Sequence, residues 1–594
     1  MPCTRRKLLQ GAAAALALPA GAAAAPKIEL EPFHYSGVRL TEGRLLEQTL
    51  ATRDFYGSLP DDSLLFGFRK RAGMPAPGKS LEGWYGGDVF NAFGQYISGM
   101  ARLAKALDDR EIGSKAHRLV TEWAKTIESN GYFYYSRKPI TPHYIYDKMM
   151  CGLVDLLDFG GHTDVVPHME TITDWAIANL DRSRSKPLEN GATYDGGGEW
   201  YTLGENLYRA FLLTGNAKFR DFGDVWRYGA YWEMFQRSEP PDPFGFHAYS
   251  HVNTLSSAAM AYAVSGEASY LKTIVNAYDW LERTQMYATG GFGPVEKLQC
   301  PDGSLGKSLE ETQLSFETVC GSWAGFKLGR YLLQFTGESK YGDWIERLLY
   351  NGIGAALPMK VDGSTFYYSE YSTNGGRKGF HPVKWPCCSG TYPQAVADYH
   401  DIIYFKQPDA LVVNLYVPSV VTWTRRDNEV RLEQRTNYPE SETSEITLRV
   451  RKPETFSLKF RIPRWCDSFS AEVNGKPVSS AGSSWAVITR KWESGDRVQV
   501  RVPPKLALTP IDQQHPGRVA ITYGPLVLVR KNTSTLSVDR DKPWRSLTKN
   551  PERLEFAAAH QPSGTLVPFY KLNFGESYHM YFDLEASKQY FEEH

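Results

Sequence analysis

The run Arg110-Glu-Ile-Gly-Ser-Lys-Ala-His-Arg-Leu-Val-Thr-Glu-Trp-Ala-Lys-Thr-Ile127 sets Ile112, Ala116, Leu119, Trp123 and Ile127 three or four residues apart, the spacing of one helical face. Ile145, Met149, Leu153 and Leu157 repeat the pattern, as do Leu271, Ile274, Tyr278 and Leu281. This period dominates from about residue 38 to residue 400. The segments between are rich in glycine, proline and aromatics: Gly83-Trp-Tyr-Gly-Gly-Asp88, Tyr194-Asp-Gly-Gly-Gly-Glu-Trp-Tyr201 and Thr289-Gly-Gly-Phe-Gly-Pro294. Amphipathic helices joined by long decorated loops predict a toroid of helical hairpins, an (α/α)6 barrel over 26–407, with its loops gathered at one end around a cleft.

Beyond residue 408 the period becomes two. Ile446, Leu448 and Val450 alternate with polar residues, and so do Phe456, Leu458, Phe460 and Ile462, and Val498, Val500 and Val502. Asn474-Gly475 lies between two such runs as a tight hairpin turn. An antiparallel β-sandwich is expected over 408–530, making a multidomain α + β chain. The remainder, 531–594, holds a polar stretch (Arg540 to Arg553) and then β-like runs at 567–574 and 578–582, expected to add strands to the sandwich.

The chain has 594 residues, with 67 basic and 67 acidic side chains. Zero net charge argues against nucleic acid, whose binding draws on a basic excess. Aromatics reach 13 %. A long, neutral chain rich in Trp and Tyr leans toward sugars, whose C–H faces stack on flat rings, although large cores use aromatics as well. Residues 1–25 (MPCTRRKLLQGAAAALALPAGAAAA) have the basic, apolar and small-residue zones of a signal peptide, and Thr4-Arg5-Arg6-Lys7-Leu8-Leu9 resembles a twin-arginine export motif. No other segment is of membrane-spanning length. A periplasmic or secreted protein is expected, exported already folded, which suits a chain that takes up a metal on reduced thiols.

One of seven cysteines is in that leader; the rest are Cys151, Cys300, Cys320, Cys387, Cys388 and Cys466. Adjacent cysteines are awkward for disulfides and natural for a metal. Glu317-Thr-Val-Cys320 and Pro386-Cys387-Cys388-Ser389 supply three thiols and a carboxylate, a set that suits four-coordinate zinc. Iron is also compatible with the ligand set, and free cysteines packed as small apolar side chains are the alternative. Glu296 follows a glycine-rich loop, where a site acid often sits. Tyr249-Ser-His251-Val-Asn253-Thr254 begins a helix with groups able to meet sugar hydroxyls or simply to cap it. Glu199-Trp-Tyr201-Thr-Leu-Gly-Glu205-Asn206 carries the same two readings.

Together these residues resemble glycoside hydrolase family 127, the β-L-arabinofuranosidase-like proteins, and the related family 146. The resemblance covers nearly the whole chain after the leader. It includes Asn414-Leu-Tyr-Val-Pro-Ser419, Arg461-Ile-Pro-Arg-Trp465 and Val473-Asn-Gly475 in the β part. It implies Zn2+ held by Glu317, Cys320, Cys387 and Cys388, with Cys387 as nucleophile and Glu296 as acid/base. It also implies His251 near the sugar subsite and Asp147 at a substrate-touching position; Asn253, Tyr201 and Glu205 are candidate substrate contacts from the polar segments above. The family's E-T-C is here E-T-V-C, Asp147 stands where relatives often carry histidine, and Asn91 and Gln95 replace other histidines. The implied reaction is retaining hydrolysis of an oligo- or polysaccharide through a thioglycosyl intermediate, with neighbouring charge expected to raise the Glu296 pKa. The competing readings are a polysaccharide lyase or a two-carboxylate glycosidase on the same architecture, and a non-catalytic glycan-binding protein with a structural zinc.

Overall fold

The structure is a computed structural model, and it describes residues 25–182, 198–239, 241–479, 484–531, 538, 543–558 and 561–584. The leader up to residue 24, residues 194–197 of the Gly-rich loop and residues 540–542 of the polar stretch lie outside the described residues.

Six helices form a closed inner ring: Phe93–Leu107, Pro142–Asp155, Gly204–Thr214, Ala248–Ser265, Thr318–Thr336 and Cys387–Ala397. Each packs on the next and the last returns to the first. The ring is the (α/α)6 barrel that the helical period predicts. Its helices are buried nearly all round, as helices inside a large protein must be. Small residues let them approach closely. A side chain at Gly94 would strike the backbone of Lys148, and one at Gly152 would strike the carbonyl of Gly94.

Outer helices back the ring. Arg110–Ala124 buries Ile112, Ala116, Leu119 and Trp123 as its spacing requires, and Asp109 caps it by accepting from the backbone N–H groups of Glu111 and Ile112. The other outer helices are Val166–Asn179, Ala217–Val225, Ala268–Thr284 and Lys340–Asn351, with Arg44–Ser58 closing the last hairpin. Gly266 (φ 70°) and Gly337 (φ 70°) end inner helices in the left-handed region, which turns the chain back within a few residues. Every hairpin therefore presents the N-terminus of its inner helix to the same end of the barrel, and the Gly- and aromatic-rich loops lead into those N-termini.

The sandwich packs a five-stranded sheet on a seven-stranded one, with Trp423 of one against Phe456 of the other (centroids 5.6 Å). Pairing is antiparallel except between Ala410–Val413 and Glu454–Arg461. Asn474 and Gly475 (φ 52° and 74°) make the hairpin turn at which Val473 pairs with Lys476. The N-terminal strands Glu31–Pro32 and Val38–Leu40 add one edge to each sheet, so residues assigned by periodicity to the barrel segment belong to the sandwich. The tail also differs from the expectation. It does pair with Arg518–Tyr523 and Leu526–Lys531, but these and Leu506–Pro510, expected in the 408–530 sandwich, instead leave the sandwich for a separate nine-stranded sheet that includes Gly376–Arg377. Alternation reveals a strand but not which sheet it enters.

Arg461, fully buried on the sandwich, ties the two units together. It pairs with Asp343 and, at 3.0 Å, with Glu346 of the outer helix Lys340–Asn351, and donates to the Asn414 carbonyl at 2.6 Å. Tyr438 donates to Glu346 at 2.7 Å. Removing one member of such a network leaves buried charge uncompensated, at a cost of about 3–5 kcal/mol. Arg461→Met should therefore lower the calorimetric unfolding midpoint of the whole chain; an unchanged midpoint would show that the bridge carries no stability.

Candidate functional site

Two inner helices begin side by side at the loop end of the barrel. Glu317 ends the short strand Phe316–Glu317, paired with Tyr368–Ser369, and occupies the N-cap of Thr318–Thr336. Cys320 follows in the first turn, on the same helical face three residues on. Cys387 and Cys388 open the neighbouring helix Cys387–Ala397 behind Pro386. The extra residue of E-T-V-C thus places Glu317 beside the thiols.

Cys320 Sγ lies 3.2 Å from Cys388 Sγ and 3.8 Å from Cys387 Sγ. Glu317 Oε1 lies 3.5 Å from Cys387 Sγ and 3.7 Å from Cys388 Sγ. Ligands about 2.3 Å (S) and 2.1 Å (O) from a tetrahedral zinc would stand about 3.8 Å (S···S) and about 3.6 Å (S···O) apart. The four side chains therefore fit such an ion. All four are buried, and Glu317 Oε2 has no hydrogen-bond partner. Burial pushes the pKa values of Glu317, Cys320 and Cys388 well up, and the neighbouring thiol of Cys387 adds to the rise for Glu317. Burial would do the same to Cys387, but hydrogen bonds from Cys320, Cys388 and Tyr367 bring it well below the ordinary thiol range. A divalent cation is the group that would let all four ionise together. Cys387 keeps 7 % of its surface exposed, whereas Cys320 and Cys388 keep none.

Tyr367 and Tyr368 join this cluster to Glu296. Tyr367 Oη is 3.6 Å from Cys387 Sγ, and Tyr368 donates a short hydrogen bond to Glu296. Glu296 sits in the turn Pro294–Glu296 with φ 58°, next to Val295 at φ 52°, both strained for residues with side chains. His247 Nε2 lies 3.1 Å from Glu296 Oε2. His247 Nδ1 faces the hydroxyl (3.0 Å) and the backbone N–H (3.4 Å) of Ser250, so Nε2 is the ring nitrogen turned toward Glu296; in the imidazolium, Nδ1–H donates to the Ser250 hydroxyl. Ligand atoms of His247, Glu296 and Glu317 all lie within 4.8 Å of one another.

The expectation of a raised Glu296 pKa is corrected. Burial pushes its carboxyl up, but the hydrogen bond and charge of His247 and the hydroxyls of Tyr368 and Tyr367 hold it at about 2. Burial pulls His247 down, yet Glu296 raises it above its ordinary 6.5. The proton of this pair thus rests on the imidazole. A second strongly raised glutamate is Glu199, pushed to about 7 by burial against the pull of His247 and Lys148, with Cys387 adding to the rise. Glu199 is 3 % exposed, left-handed at φ 43°, and its Oε2 has no partner among the described residues.

The other predicted residues lie around this centre in different circumstances. His251 is walled in by aromatic rings, stacked on Phe246 (4.7 Å) and near Tyr201 (4.5 Å), with Nδ1 bonded to the His247 carbonyl and a pKa pulled by burial to about 3. The histidine that meets the acid is His247, which sequence reading passed over; its signal is its place at the N-cap of Ala248–Ser265. Tyr201 bonds Ser250 at 2.7 Å and so braces His247. Asn253 is buried with Oδ1 unpartnered. Asp147 engages Lys148 (2.9 Å), Thr202 (3.0 Å) and Asn206 (2.8 Å). Glu205 is occupied by Lys327 and, at 3.0 Å, by Tyr331. Both carboxylates are spent inside the protein rather than offered to a ligand. Gln95 links Tyr144 (3.0 Å) to Thr391 (3.1 Å), and Thr391 Oγ1 is 3.2 Å from Cys320 Sγ.

Comparison with known proteins gives the same picture. The sequence model described as "Beta-L-arabinofuranosidase, GH127 catalytic domain" matches residues 37–401, and that of the GH127 middle domain matches residues 410–504. A solved GH127 β-arabinofuranosidase aligns with TM-score 0.73 and 20 % identity, covering 94 % of this chain and 99 % of its own. A GH127 β-L-arabinofuranosidase from Geobacillus stearothermophilus T6 aligns with TM-score 0.71 and 17 % identity, covering 92 % of this chain and 100 % of its own. A further glycoside hydrolase gives TM-score 0.69 and 18 % identity over 94 % and 98 %. At these identities the structures show the fold. A search of curated proteins finds no match.

The sulfur cluster predicts a spectroscopic result. Titration with Cd2+ should raise a thiolate-to-metal charge-transfer band that saturates at one ion per chain and is strongly weakened in Cys320→Ser. No band, or an unchanged one in that variant, would contradict the four-ligand site.

Proposed function

We propose, from the premise that the chain belongs to glycoside hydrolase family 127, that it is an exported, retaining β-L-arabinofuranosidase using Cys387 as nucleophile and Glu296 as acid/base. The glycoside hydrolase activity follows from the family. The export reading rests on the leader at residues 1–25. The observation that carries the mechanism is the Tyr367-Tyr368 pair, which holds Cys387 Sγ with one hydroxyl and Glu296 with the other.

Glu317, Cys320, Cys387 and Cys388 would hold Zn2+, which keeps thiols ionised near neutral pH when bound. Cys387 Sγ attacks the anomeric carbon as the bond to the leaving oxygen breaks, and Glu296 delivers a proton to that oxygen. His247 supplies this proton through its hydrogen bond, so a carboxylate with a low pKa can still serve as the acid. The sugar is then bonded to Cys387 sulfur. Glu296, again a carboxylate, takes a proton from water as the water oxygen displaces the thiolate, and the second inversion restores the configuration.

A screen of aryl furanosides and pyranosides is expected to give turnover of the β-L-arabinofuranoside; turnover confined to another sugar would reassign the substrate. Cys387→Ser should abolish turnover, and retained activity would remove the thiolate mechanism. Acid/base assistance is worth about 10²–10⁴ in rate, so Glu296→Gln should lose that much on alkyl leaving groups and much less on activated aryl ones. Equal losses would refute the acid role. His247 holds its proton to above pH 6.5, so kcat/KM should fall as pH rises through the value of the pair. His247→Gln should displace that limb; an unmoved limb would assign it to another group.

A further inference from the structure

A second cluster of metal-binding side chains lies at the other end of the barrel. Pro142–Asp155 begins at the catalytic end and runs 14 residues, about 21 Å at 1.5 Å per residue. It continues into the π-turn Leu156–Gly160, and Gly161 (φ 72°) then redirects the chain into His162 and the short turn Thr163–Val165. His162 stacks on His117 of the outer helix Arg110–Ala124, with centroids 3.9 Å apart and planes 12° from parallel. His117 Nε2 lies 2.7 Å from Asp164 Oδ2. One ligand atom from each of His117, His162 and Asp164 falls within 4.8 Å of the other two.

The seat of His162 is specific. A side chain on Gly160 would come within 2.6 Å of His162 Cδ2, so the ring depends on the bare backbone there. The two imidazoles are half-buried and Asp164 is exposed, leaving the cluster open to solvent. Burial and the neighbouring His117 ring lower the His162 pKa, with Asp164 opposing. The rings stack rather than point at one centre, so an ion must turn one imidazole to gather both nitrogens, and the set then offers two borderline nitrogens and one hard oxygen. That set favours zinc, copper or nickel over magnesium or calcium and leaves positions for water.

We propose that His117, His162 and Asp164 form a second, solvent-facing site for a borderline divalent transition-metal ion, separate from the cysteine cluster and outside the catalytic machinery. The ion would clip the outer helix Arg110–Ala124 to the turn that follows Pro142–Asp155.

The full chain, its cysteine site first filled with one equivalent of Zn2+, is titrated with Cu2+ and, separately, with Zn2+. The expected result is one further equivalent, an electron paramagnetic resonance signal of Cu2+ with two nitrogen ligands, and a rise in unfolding midpoint on loading. His117→Gln and His162→Gln should lose the further equivalent while keeping glycosidase activity, which shows that they fold. Gly160→Ala should weaken the equivalent by displacing the ring. A wild-type chain that takes up no further ion, or variants that bind it as wild type does, would overturn the proposal. Because the readout is metal uptake, the result stands whichever glycoside the enzyme cleaves.

Discussion

Four acidic side chains, brought together where water is excluded, set the central constraint of this molecule. Glu317, Cys320, Cys387 and Cys388 lie at the N-termini of two adjacent inner helices, where aligned backbone dipoles favour negative charge. The dipoles help, but buried anions a few ångströms apart repel one another far more strongly in a low-dielectric interior than in water. A bound cation would let the cluster ionise. The ring of hairpins makes the cluster possible, because it delivers the N-terminus of every inner helix, and so every loop, to one end.

The same geometry explains how the proposed nucleophile and the proposed acid are held. Tyr367 and Tyr368 are adjacent, and their hydroxyls reach Cys387 and Glu296 respectively. His247 reaches Glu296 from a third inner helix, steadied by Ser250 and Tyr201. Around this centre, Asp147 with Lys148 and Glu205 with Lys327 form buried ion pairs at positions where the sequence led one to expect contacts with sugar. Buried charges that satisfy one another fix the shape of a wall and leave recognition to other groups. Glu199 Oε2 is buried with no partner among the described residues.

Much of this was legible in the sequence, and the reasons differ by element. Helical spacing exposed outer helices such as Arg110–Ala124 because one face meets water and the other the ring. The inner helices are buried on all sides, so Ala248–Ser265 shows no clear amphipathic face and its identity came from the loops and turns around it. Alternation found the strands but not their partners, which is why the tail was assigned to the wrong sheet. The Glu/Cys cluster was legible as a candidate because three thiols and a carboxylate fall in two short motifs, a spacing that free buried cysteines would also fit. His247 was missed in favour of His251 because four residues on a helix put both on nearly the same face. Only the folded chain shows that one is turned to Glu296 and the other into a nest of aromatic rings. The low pKa of Glu296 was hidden for the same reason: its cause is a neighbour 49 residues away.

Zinc-edge X-ray absorption on chain loaded with a single equivalent of the metal is the most direct examination of the centre. The expected first shell is three sulfurs at about 2.3 Å and one oxygen at about 2.0–2.2 Å. A shell of nitrogen and oxygen alone would place the ion elsewhere and leave the three thiols as ordinary buried cysteines.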